Sequence, residues 1–217
     1  MVVRRVTHHG GNVIGKFPSI KLTRMLSFES LIERDLLYIL DFEPDVLFFS
    51  EQPLTIEYSY EGKTRHYTPD FHVVHIGGRN TLVECKPSHL TETDDNLRKF
   101  GIARAWCAAR DWEFSVVTDE QLRTGSRLDN IKRLTAYARH AFATQLKGQA
   151  YAILEASPIA LTVGEVAQRL SPQQPAEALA CLWHMAFHHE VVIALETGPL
   201  SLQSLVRLSA ATSRVER

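Results

Sequence analysis

The sequence predicts an α/β fold, in which a mixed sheet flanked by helices is followed by a small C-terminal winged-helix-like domain. The first observation is the order helix, three strands, helix, strand over residues 28–118. The second is a change beyond about residue 147 to three amphipathic helices and a hairpin. The third is a composition that is 45% hydrophobic and 23% charged, which is typical of globular proteins. We therefore expect two domains, 1–146 and 147–217.

The first 25 residues combine glycines with basic side chains and show no periodicity, so they predict an arm or loop. Ser27 is the expected N-cap of a helix from about 28 to 42. Pro44 should end this helix. Its apolar stripe consists of Phe28, Leu31, Ile32, Leu36, Ile39 and Leu40.

Three strands are predicted next, separated by turns at Glu61-Gly62 and Gly77-Gly78. They read VLFFSEQPLTIEYSY, HYTPDFHVVHI and NTLVECK, and Pro87 should end the third. Residues 94–110 then predict a helix whose inward side chains are Leu97, Phe100, Ala103, Trp106 and Ala108. The apolar segment WEFSVVT predicts a strand buried on both faces, and Asp119 opens a short helical turn.

A further helix is predicted over about 129–144, before the change of pattern at residue 147. Three further helices are predicted, in the segments GQAYAILEASPIA, LTVGEVAQRL and QPAEALACLWHMAFHHE. Thr162 and Glu165 form a capping box at the start of the second of these helices. The segment VVIALETGPLSLQSLVRL predicts a hairpin around Thr197-Gly198-Pro199. The longest of these helices contains no Arg or Lys, so contact with protein is favoured over contact with DNA.

Composition also limits the setting of the protein. No apolar run approaches the roughly 18 residues that would cross a bilayer, and the N-terminus has no apolar core of signal-peptide length. Cys85, Cys107 and Cys181 are odd in number and widely spaced, so we expect reduced thiols. These features predict a cytoplasmic protein with no membrane partner.

Basic residues are unevenly distributed, although the formal net charge is only −1. Arg4, Arg5, Lys16, Lys21 and Arg24 all precede the first acidic residue, Glu29. Such a basic segment is compatible with contacts to phosphates, and Lys16, Lys21 and Arg24 are the candidates for binding DNA.

The candidate site lies on the second and third strands. Successive strand residues point to opposite faces, so Glu84 and Lys86 share one face, which we expect to line a cleft. Asp70 lies on the partner strand of the same hairpin. Adjacent carboxylates repel unless a cation lies between them, and hard oxygen ligands suit Mg²⁺ or Mn²⁺. A nearby lysine could orient or deprotonate a water, or stabilise phosphorane charge.

The first helix offers a third carboxylate. Glu33 borders the apolar arc of this helix, where a charge is costly unless it has a partner. Glu29 lies one turn earlier on a similar bearing and is a rival for the same role. With two metal ions, such a site could stabilise both the attacking and the leaving oxygens of a phosphodiester.

These residues match the PD-(D/E)xK pattern of the restriction-endonuclease-like nucleases. More closely, the chain resembles the N-terminal domain of TnsA-type proteins, the endonuclease subunits of heteromeric, Tn7-like bacterial transposases. The resemblance covers about residues 10–125 and is carried by GKFPSIKLTRMLSFESLIERDLLYILDFEPDVLFFSEQP, YTPDF, VECKP and FSVVTDE.

The resemblance implies roles for individual residues. Glu33 matches the catalytic glutamate of the first helix and is thereby favoured over Glu29. Asp70 matches the metal-binding aspartate of the family, and Lys86 matches its lysine. Glu84 matches the acidic position on the strand, where some relatives carry glutamine. The implied cofactors are two Mg²⁺ or Mn²⁺ ions held by Glu33, Asp70 and Glu84.

The resemblance also implies an activity and partners. We expect a metal-dependent DNA endonuclease that cleaves the 5′ ends of a transposon, with a TnsB-type DDE transposase and a TnsC-type AAA+ ATPase as partners. The alternatives are a stand-alone nuclease or resolvase of the same fold, and a non-catalytic DNA-binding scaffold. The joint presence of Glu33, Asp70, Glu84 and Lys86 argues against the scaffold.

Overall fold

The computed structural model describes residues 13–209. Arg4 and Arg5 of the predicted basic segment lie outside the described residues. The chain divides into two compact units, Met1–Thr124 and Gly125–Arg217. The predicted domain boundary at 146/147 falls inside a helix, Thr144–Ala156.

The first unit combines helices with short strands. In chain order, its elements are β1 (Gly15–Pro18), β2 (Met25–Phe28), α1 (Leu31–Phe42), β3 (Val46–Glu51), β4 (Ile56–Tyr60), β5 (Lys63–Tyr67), β6 (Phe71–His75), β7 (Asn80–Lys86), a 3-10 turn (Ser88–Leu90), α2 (Asp94–Ala108), β8 (Glu113–Thr118) and α3 (Asp119–Arg123).

A four-stranded mixed sheet in the order β3-β6-β7-β8 organises this unit. The β3–β6 and β6–β7 pairs are antiparallel, and the β7–β8 pair is parallel. Helices cover this sheet, and the arrangement fits a restriction-endonuclease-like fold. Two further hairpins, β1–β2 and β4–β5, form separate two-stranded sheets.

The segment before the first helix differs from its prediction. Residues 15–28 form the β1–β2 hairpin instead of an unstructured arm. Helix α1 begins at Leu31, and its N-cap is Ser30, because the Ser30 hydroxyl accepts a hydrogen bond from the Glu33 backbone N–H. The predicted cap, Ser27, lies in β2, where Leu26 and Phe28 already face the core.

Two of the three predicted strands are each divided in two. Pro53 follows the left-handed residue Gln52 (φ 42°) and separates β3 from β4. Pro69 separates β5 from β6, so Asp70 lies in a bend before β6 and not within a strand. Both divisions follow from proline, which has no N–H to donate to a ladder. The predicted turns at Glu61-Gly62 and Gly77-Gly78 are confirmed by positive φ angles at all four residues.

Helix α2 and strand β8 are present, and the predicted burial of Phe100 and Ala103 is confirmed, but other parts of the predicted burial are wrong. The buried residues of α2 are Phe100, Ala103 and Cys107, whereas Leu97 and Ala108 are exposed. Strand β8 lies at an end of the four-stranded sheet, and its residues are half-buried or exposed. A short apolar run therefore did not distinguish an edge strand from a central one.

The sheet carries a different core on each face. Val83 and Cys85 of β7 pack with α1, in a cluster that includes Leu36, Leu37 and Phe49. Leu82 packs on the opposite face with residues of β4, β5 and α2, namely Ile56, Tyr67, Ala103 and Cys107. The expected alternation along NTLVECK is thus confirmed, and Glu84 lies on the Leu82 face.

The second unit contains four helices and a small antiparallel sheet among the described residues. Its elements are α4 (Arg127–Thr135), α5 (Thr144–Ala156), β9 (Leu161–Thr162), α6 (Val163–Leu170), α7 (Pro175–Phe187), β10 (Val191–Ile193) and β11 (Leu205–Leu208). The sheet order is β10-β11-β9. The capping box of Thr162 and Glu165 is confirmed.

Helix α4 belongs to the second unit through specific contacts. The Asn130 amide donates to the carbonyls of Leu195 and Gly198, 2.8 Å each. The helix ends at Thr135, earlier than predicted, and the following carbonyls of Tyr137 and Ala138 accept hydrogen bonds from histidine rings of the α7 segment. These contacts place the residues before 147 with the C-terminal helices.

The three cysteines are buried free thiols, as expected from their spacing. Over residues 13–209, none of the helices combines the length and the apolar character needed to cross a membrane.

Candidate active site

A cleft of about 800 Å³ opens in the first unit beside the end of β7. Its walls come from the start of α1, from β5 and from the segment that precedes β6. The acidic and basic side chains that line it are Glu29, Glu33, His66, Asp70, Glu84, Lys86 and Lys99. All four predicted catalytic residues therefore line one cavity.

Strand register brings Asp70 beside Glu84. Phe71 pairs with Val83 across the β6–β7 ladder, so the residue before Phe71 lies next to the residue after Val83. The backbone N–H of Cys85 donates to Asp70 Oδ2 at 2.7 Å. This hydrogen bond holds the Asp70 carboxyl against the end of β7, although Asp70 itself lies in a bend.

Glu84 is 3% exposed, and each of its carboxyl oxygens has a partner. Lys86 Nζ lies 2.7 Å from Oε1, which confirms that Glu84 and Lys86 share a face. The Tyr67 hydroxyl donates to Oε2 at 2.7 Å, and Tyr67 is also buried. Burying a carboxylate is costly unless donors compensate for the lost water, and these two side chains supply them.

Glu33 reaches the cleft from the first turn of α1. Its Oε2 accepts a hydrogen bond from the Glu29 backbone N–H at 2.8 Å, and its own N–H donates to the Ser30 hydroxyl at 3.1 Å. Carboxylates are favoured at helix N-termini, where unpaired N–H groups and the helix dipole are positive. The rival, Glu29, also lines the cleft and accepts a hydrogen bond from the Gln52 side chain at 2.9 Å.

The carboxyl groups destabilise one another's charged forms. Burial, followed by the charges of Glu84 and Glu33, raises the pKa of Asp70 well above its ordinary value. Burial is also the main cause of the raised pKa of Glu33, against which the hydrogen bonds from Glu29 and Ser30 act. Asp70 and Glu33 are thus costly to ionise in the protein alone.

Lys86 experiences opposing influences. Burial works to lower its pKa, but the charge and hydrogen bond of Glu84, together with the charge of Asp70, hold the pKa above its ordinary value. The ammonium therefore stays protonated at neutral pH. Of the roles expected from the sequence, this state favours stabilisation of negative charge over deprotonation of a water.

The donor chemistry fits a divalent cation. Carboxylates with raised pKa values are the hard oxygen ligands that Mg²⁺ and Mn²⁺ prefer, and a cation among them would relieve their repulsion. Asp70 Oδ1 accepts no protein hydrogen bond from residues 13–209. Within the same residues, no three Asp, Glu, His or Cys side chains converge into a ready metal-binding group. The ligand set Glu33, Asp70 and Glu84 stays a prediction.

The predicted DNA-binding residues have different environments. Lys16 is exposed on β1 and has no ion pair or hydrogen bond in the described part of the chain. Lys21 Nζ instead donates to the carbonyls of Leu40 (2.9 Å), Glu43 and Val46 (2.7 Å). Burial lowers the pKa of Lys21. Arg24 forms a two-point ion pair with the buried Glu51. Lys21 and Arg24 thus have roles within the fold.

Two site residues were missed by sequence reasoning. Tyr67 directly precedes the TPD segment, but nothing in its spacing indicated a bond to a residue seventeen positions away. Gln52 lies inside the first predicted strand, and its neighbour Pro53 was the available sign that the chain bends there.

Comparison with known families bears on this cleft. Residues 43–119 match the family model described as TnsA-like endonuclease N terminal. This part of the chain is similar to a TnsA-like endonuclease domain. The match confirms the resemblance predicted from the sequence, and it includes Asp70, Glu84 and Lys86. No curated protein matches the chain.

Glu33 lies outside the residues that match the TnsA-like family model. Its assignment to the site stays a prediction from the resemblance, and the structure places it on the cleft wall together with Glu29. The β6–β7 hairpin, by contrast, lies wholly within the matched residues, together with β8.

Proposed function

We propose that this protein is a metal-dependent DNA endonuclease that cleaves the 5′ ends of a transposon as one subunit of a heteromeric transposase. The TnsA-like family match supports nuclease activity of the Tn7-like transposition type. The observation that carries the proposal is the pairing of Asp70 with Glu84 beside Lys86, in one cleft inside the matched residues. Carboxylates and an ammonium in this arrangement suit phosphodiester hydrolysis.

The side chains have distinct parts in this proposal. Lys86, held protonated by Glu84, is placed to stabilise negative charge that develops on the phosphoryl group. Asp70 and Glu84 offer oxygen atoms at the end of β7, and Glu33 offers one from α1. Mg²⁺ or Mn²⁺ would be held by these three carboxylates, and when bound would lower the pKa of an attacking water and neutralise phosphate charge.

The second unit is proposed as a winged-helix-like module that contacts protein partners, a TnsB-type transposase or a TnsC-type ATPase. Eight residues of α7 are buried, so this helix is occupied by packing within its own unit. It also has no Arg or Lys with which to contact phosphate. These features support a protein-binding role over a DNA-reading role.

The proposal is tested by incubating the purified protein with DNA carrying the transposon ends, Mg²⁺ and the partner transposase. We expect cleavage at the 5′ ends by the wild type and none by Asp70→Ala, because removing one carboxylate removes a metal ligand. Assembly on DNA should persist in the variant, since Asp70 lies within the cleft. Gel analysis of end-labelled DNA measures both cleavage and assembly.

The matched control is Glu113→Ala, which removes an exposed carboxylate on β8 that forms an ion pair with the half-exposed Arg79 at 3.3 Å. This variant should cleave like the wild type. If Asp70→Ala also cleaves like the wild type, the catalytic assignment is wrong. Cleavage of the same DNA without any partner would favour the stand-alone nuclease.

A further inference from the structure

Gln52 has an unusual backbone conformation at the edge of the active-site region. It follows β3 directly, has a φ of 42° and is 9% exposed. The left-handed region is uncommon for residues other than glycine, asparagine and aspartate. A glutamine that is held there by its surroundings is a reason to look for a function of its side chain.

Gln52 connects two walls of the cleft through two hydrogen bonds. Its backbone N–H donates to the carbonyl oxygen of Asp70 at 2.8 Å. Its side-chain Nε2 donates to Glu29 Oε1 at 2.9 Å. The first bond reaches the segment that carries the Asp70 carboxyl, and the second reaches Glu29, two residues before the start of α1.

The connection continues from Glu29 to Glu33. The Glu29 backbone N–H donates to Glu33 Oε2 at 2.8 Å, so the conformation of Glu29 affects the orientation of the Glu33 carboxyl. Gln52 thereby joins the two parts of the chain that bear Asp70 and Glu33. These residues are distant in sequence, and both line the same cleft.

The side-chain amide of Gln52 includes a buried oxygen that destabilises the fold. Its Oε1 is buried and accepts no hydrogen bond within residues 13–209. An unsatisfied buried acceptor is destabilising, so packing alone does not favour glutamine here over an apolar side chain. The contact that does require an amide is the donation from Nε2 to Glu29.

We propose that Gln52 is a positioning residue, which holds the Asp70 segment and the Glu29–Glu33 wall in a fixed relation across the cleft. The proposal rests on the proposed nuclease function, because the positioned carboxyl groups are the expected metal ligands. Gln52 itself is not placed against DNA or metal. It acts through Asp70 and Glu29, as outer residues around metal ligands commonly do.

Two variants separate positioning from folding. Gln52→Gly accommodates the left-handed φ without a Cβ and keeps the backbone N–H that bonds to Asp70. Gln52→Met keeps an unbranched side chain of similar length but has no amide. Both lose the donation to Glu29 and also the unsatisfied Oε1, so we expect the thermal midpoint of each to stay close to that of the wild type.

The measurements are steady-state cleavage of transposon-end DNA with Mg²⁺ and the partner transposase, and calorimetric titration of the DNA-free protein with Mn²⁺. Both variants should lose about tenfold or more in kcat and in Mn²⁺ affinity, with KM for DNA unchanged. Asp111→Gly is the control, because Asp111 is another left-handed residue (φ 56°), exposed in the turn between α2 and β8. It should behave like the wild type.

Variants that cleave and bind Mn²⁺ within twofold of the wild type would overturn the positioning role and leave the proposed function intact. A large fall in the thermal midpoint of both variants would also overturn it, by showing that Gln52 serves folding. A wild-type protein that neither cleaves nor binds Mn²⁺ would refute the proposed function, and the positioning role with it.

Discussion

At the scale of single residues, the Tyr67 hydroxyl donates a hydrogen bond to one oxygen of the buried Glu84 carboxylate. The other oxygen contacts the Lys86 ammonium. Tyr67 and Glu84 are 5% and 3% exposed, so water does not readily replace this bond if it is lost. Burial, with the charge of Glu84, raises the pKa of Tyr67, so the hydroxyl remains a donor at neutral pH. Glu84 therefore depends on Tyr67 as well as on Lys86.

Tyr67→Phe should lower the free energy of unfolding by about 1.5–3 kcal/mol, the range for hydrogen bonds to charged groups. The ring and its packing in the core cluster are kept, so the loss reports the hydroxyl. Urea denaturation measures it. The control is Tyr60→Phe, whose hydroxyl makes no hydrogen bond among residues 13–209, and a change within about 0.5 kcal/mol is expected there. Equal effects of both substitutions would contradict the role of Tyr67.

At the scale of an element, the C-terminus of α1 is stabilised by a lysine that lies outside the helix. Its last turn contains no basic residue, yet Lys21 from the β1–β2 connection donates to the carbonyl of Leu40 and to two carbonyls that follow. Carbonyls at a helix C-terminus lack partners and are partly negative, so an ammonium there is favourable. Asp41 secures the same connection by accepting the backbone N–H groups of Ile20 and Lys21.

Lys21→Met should lower stability without changing DNA binding, whereas Lys16→Met should weaken DNA binding without changing stability. Lys21→Met leaves carbonyls without their donor, so we expect the free energy of unfolding to fall by about 2–3 kcal/mol. Lys16→Met removes an exposed charge, so stability should change by less than about 0.5 kcal/mol. The salt dependence of DNA binding should weaken by about one unit of slope for Lys16→Met and stay unchanged for Lys21→Met.

The two measurements are urea denaturation and DNA titration at several salt concentrations. If the Lys21→Met variant is stable and its DNA binding depends less on salt, Lys21 contacts DNA and the role in the fold is wrong. A Lys16→Met variant with an unchanged slope would remove β1 from that interface.

At the scale of the whole molecule, near-neutral net charge conceals a local excess of carboxyl groups. The formal charge is −1, but Glu29, Glu33, Asp70 and Glu84 all line one cleft. The raised pKa values of Asp70 and Glu33, caused first by burial, show that ionising these groups works against folding. Catalytic sites commonly carry such a stability cost, which a bound ion can offset.

Divalent cations should therefore raise the thermal midpoint of the wild-type protein at neutral pH. Binding to the folded state alone stabilises by about 2.7 kcal/mol when the ion is at a hundred times its Kd. Asp70→Asn should be more stable than the wild type in EDTA and should gain less from Mn²⁺, because it lacks one repelling charge and one ligand. Differential scanning calorimetry with EDTA and with Mn²⁺ measures both effects.

Asp45→Asn is the control for this comparison, since Asp45 is an exposed carboxylate that pairs with His75 and Arg79. It should keep the full response to Mn²⁺. A wild-type midpoint that is the same in EDTA and in Mn²⁺ would count against metal binding at the cleft.

The sequence by itself determined the mixed α/β class and the β6–β7 hairpin, with the candidate residues Glu84 and Lys86 on β7 and Asp70 just before β6. Alternation along β7 placed Glu84 and Lys86 on one face, and glycines with positive φ marked the turn. These signals are local, because side-chain direction in a strand depends on residue parity and turn conformation depends on one or two residues. The family resemblance selected Glu33 over Glu29, and the structure places both on the cleft wall.

Only the tertiary structure decided which charged residues serve the fold and which are available to DNA. Lys16, Lys21 and Arg24 look equivalent in the sequence, but Lys21 and Arg24 have partners that are 19 and 27 positions away. The contributions of Tyr67 and Gln52 arise in the same way, from contacts across 17 and 23 positions. Local patterns carry no record of such contacts, because burial and hydrogen bonding between distant segments exist only once the chain has folded.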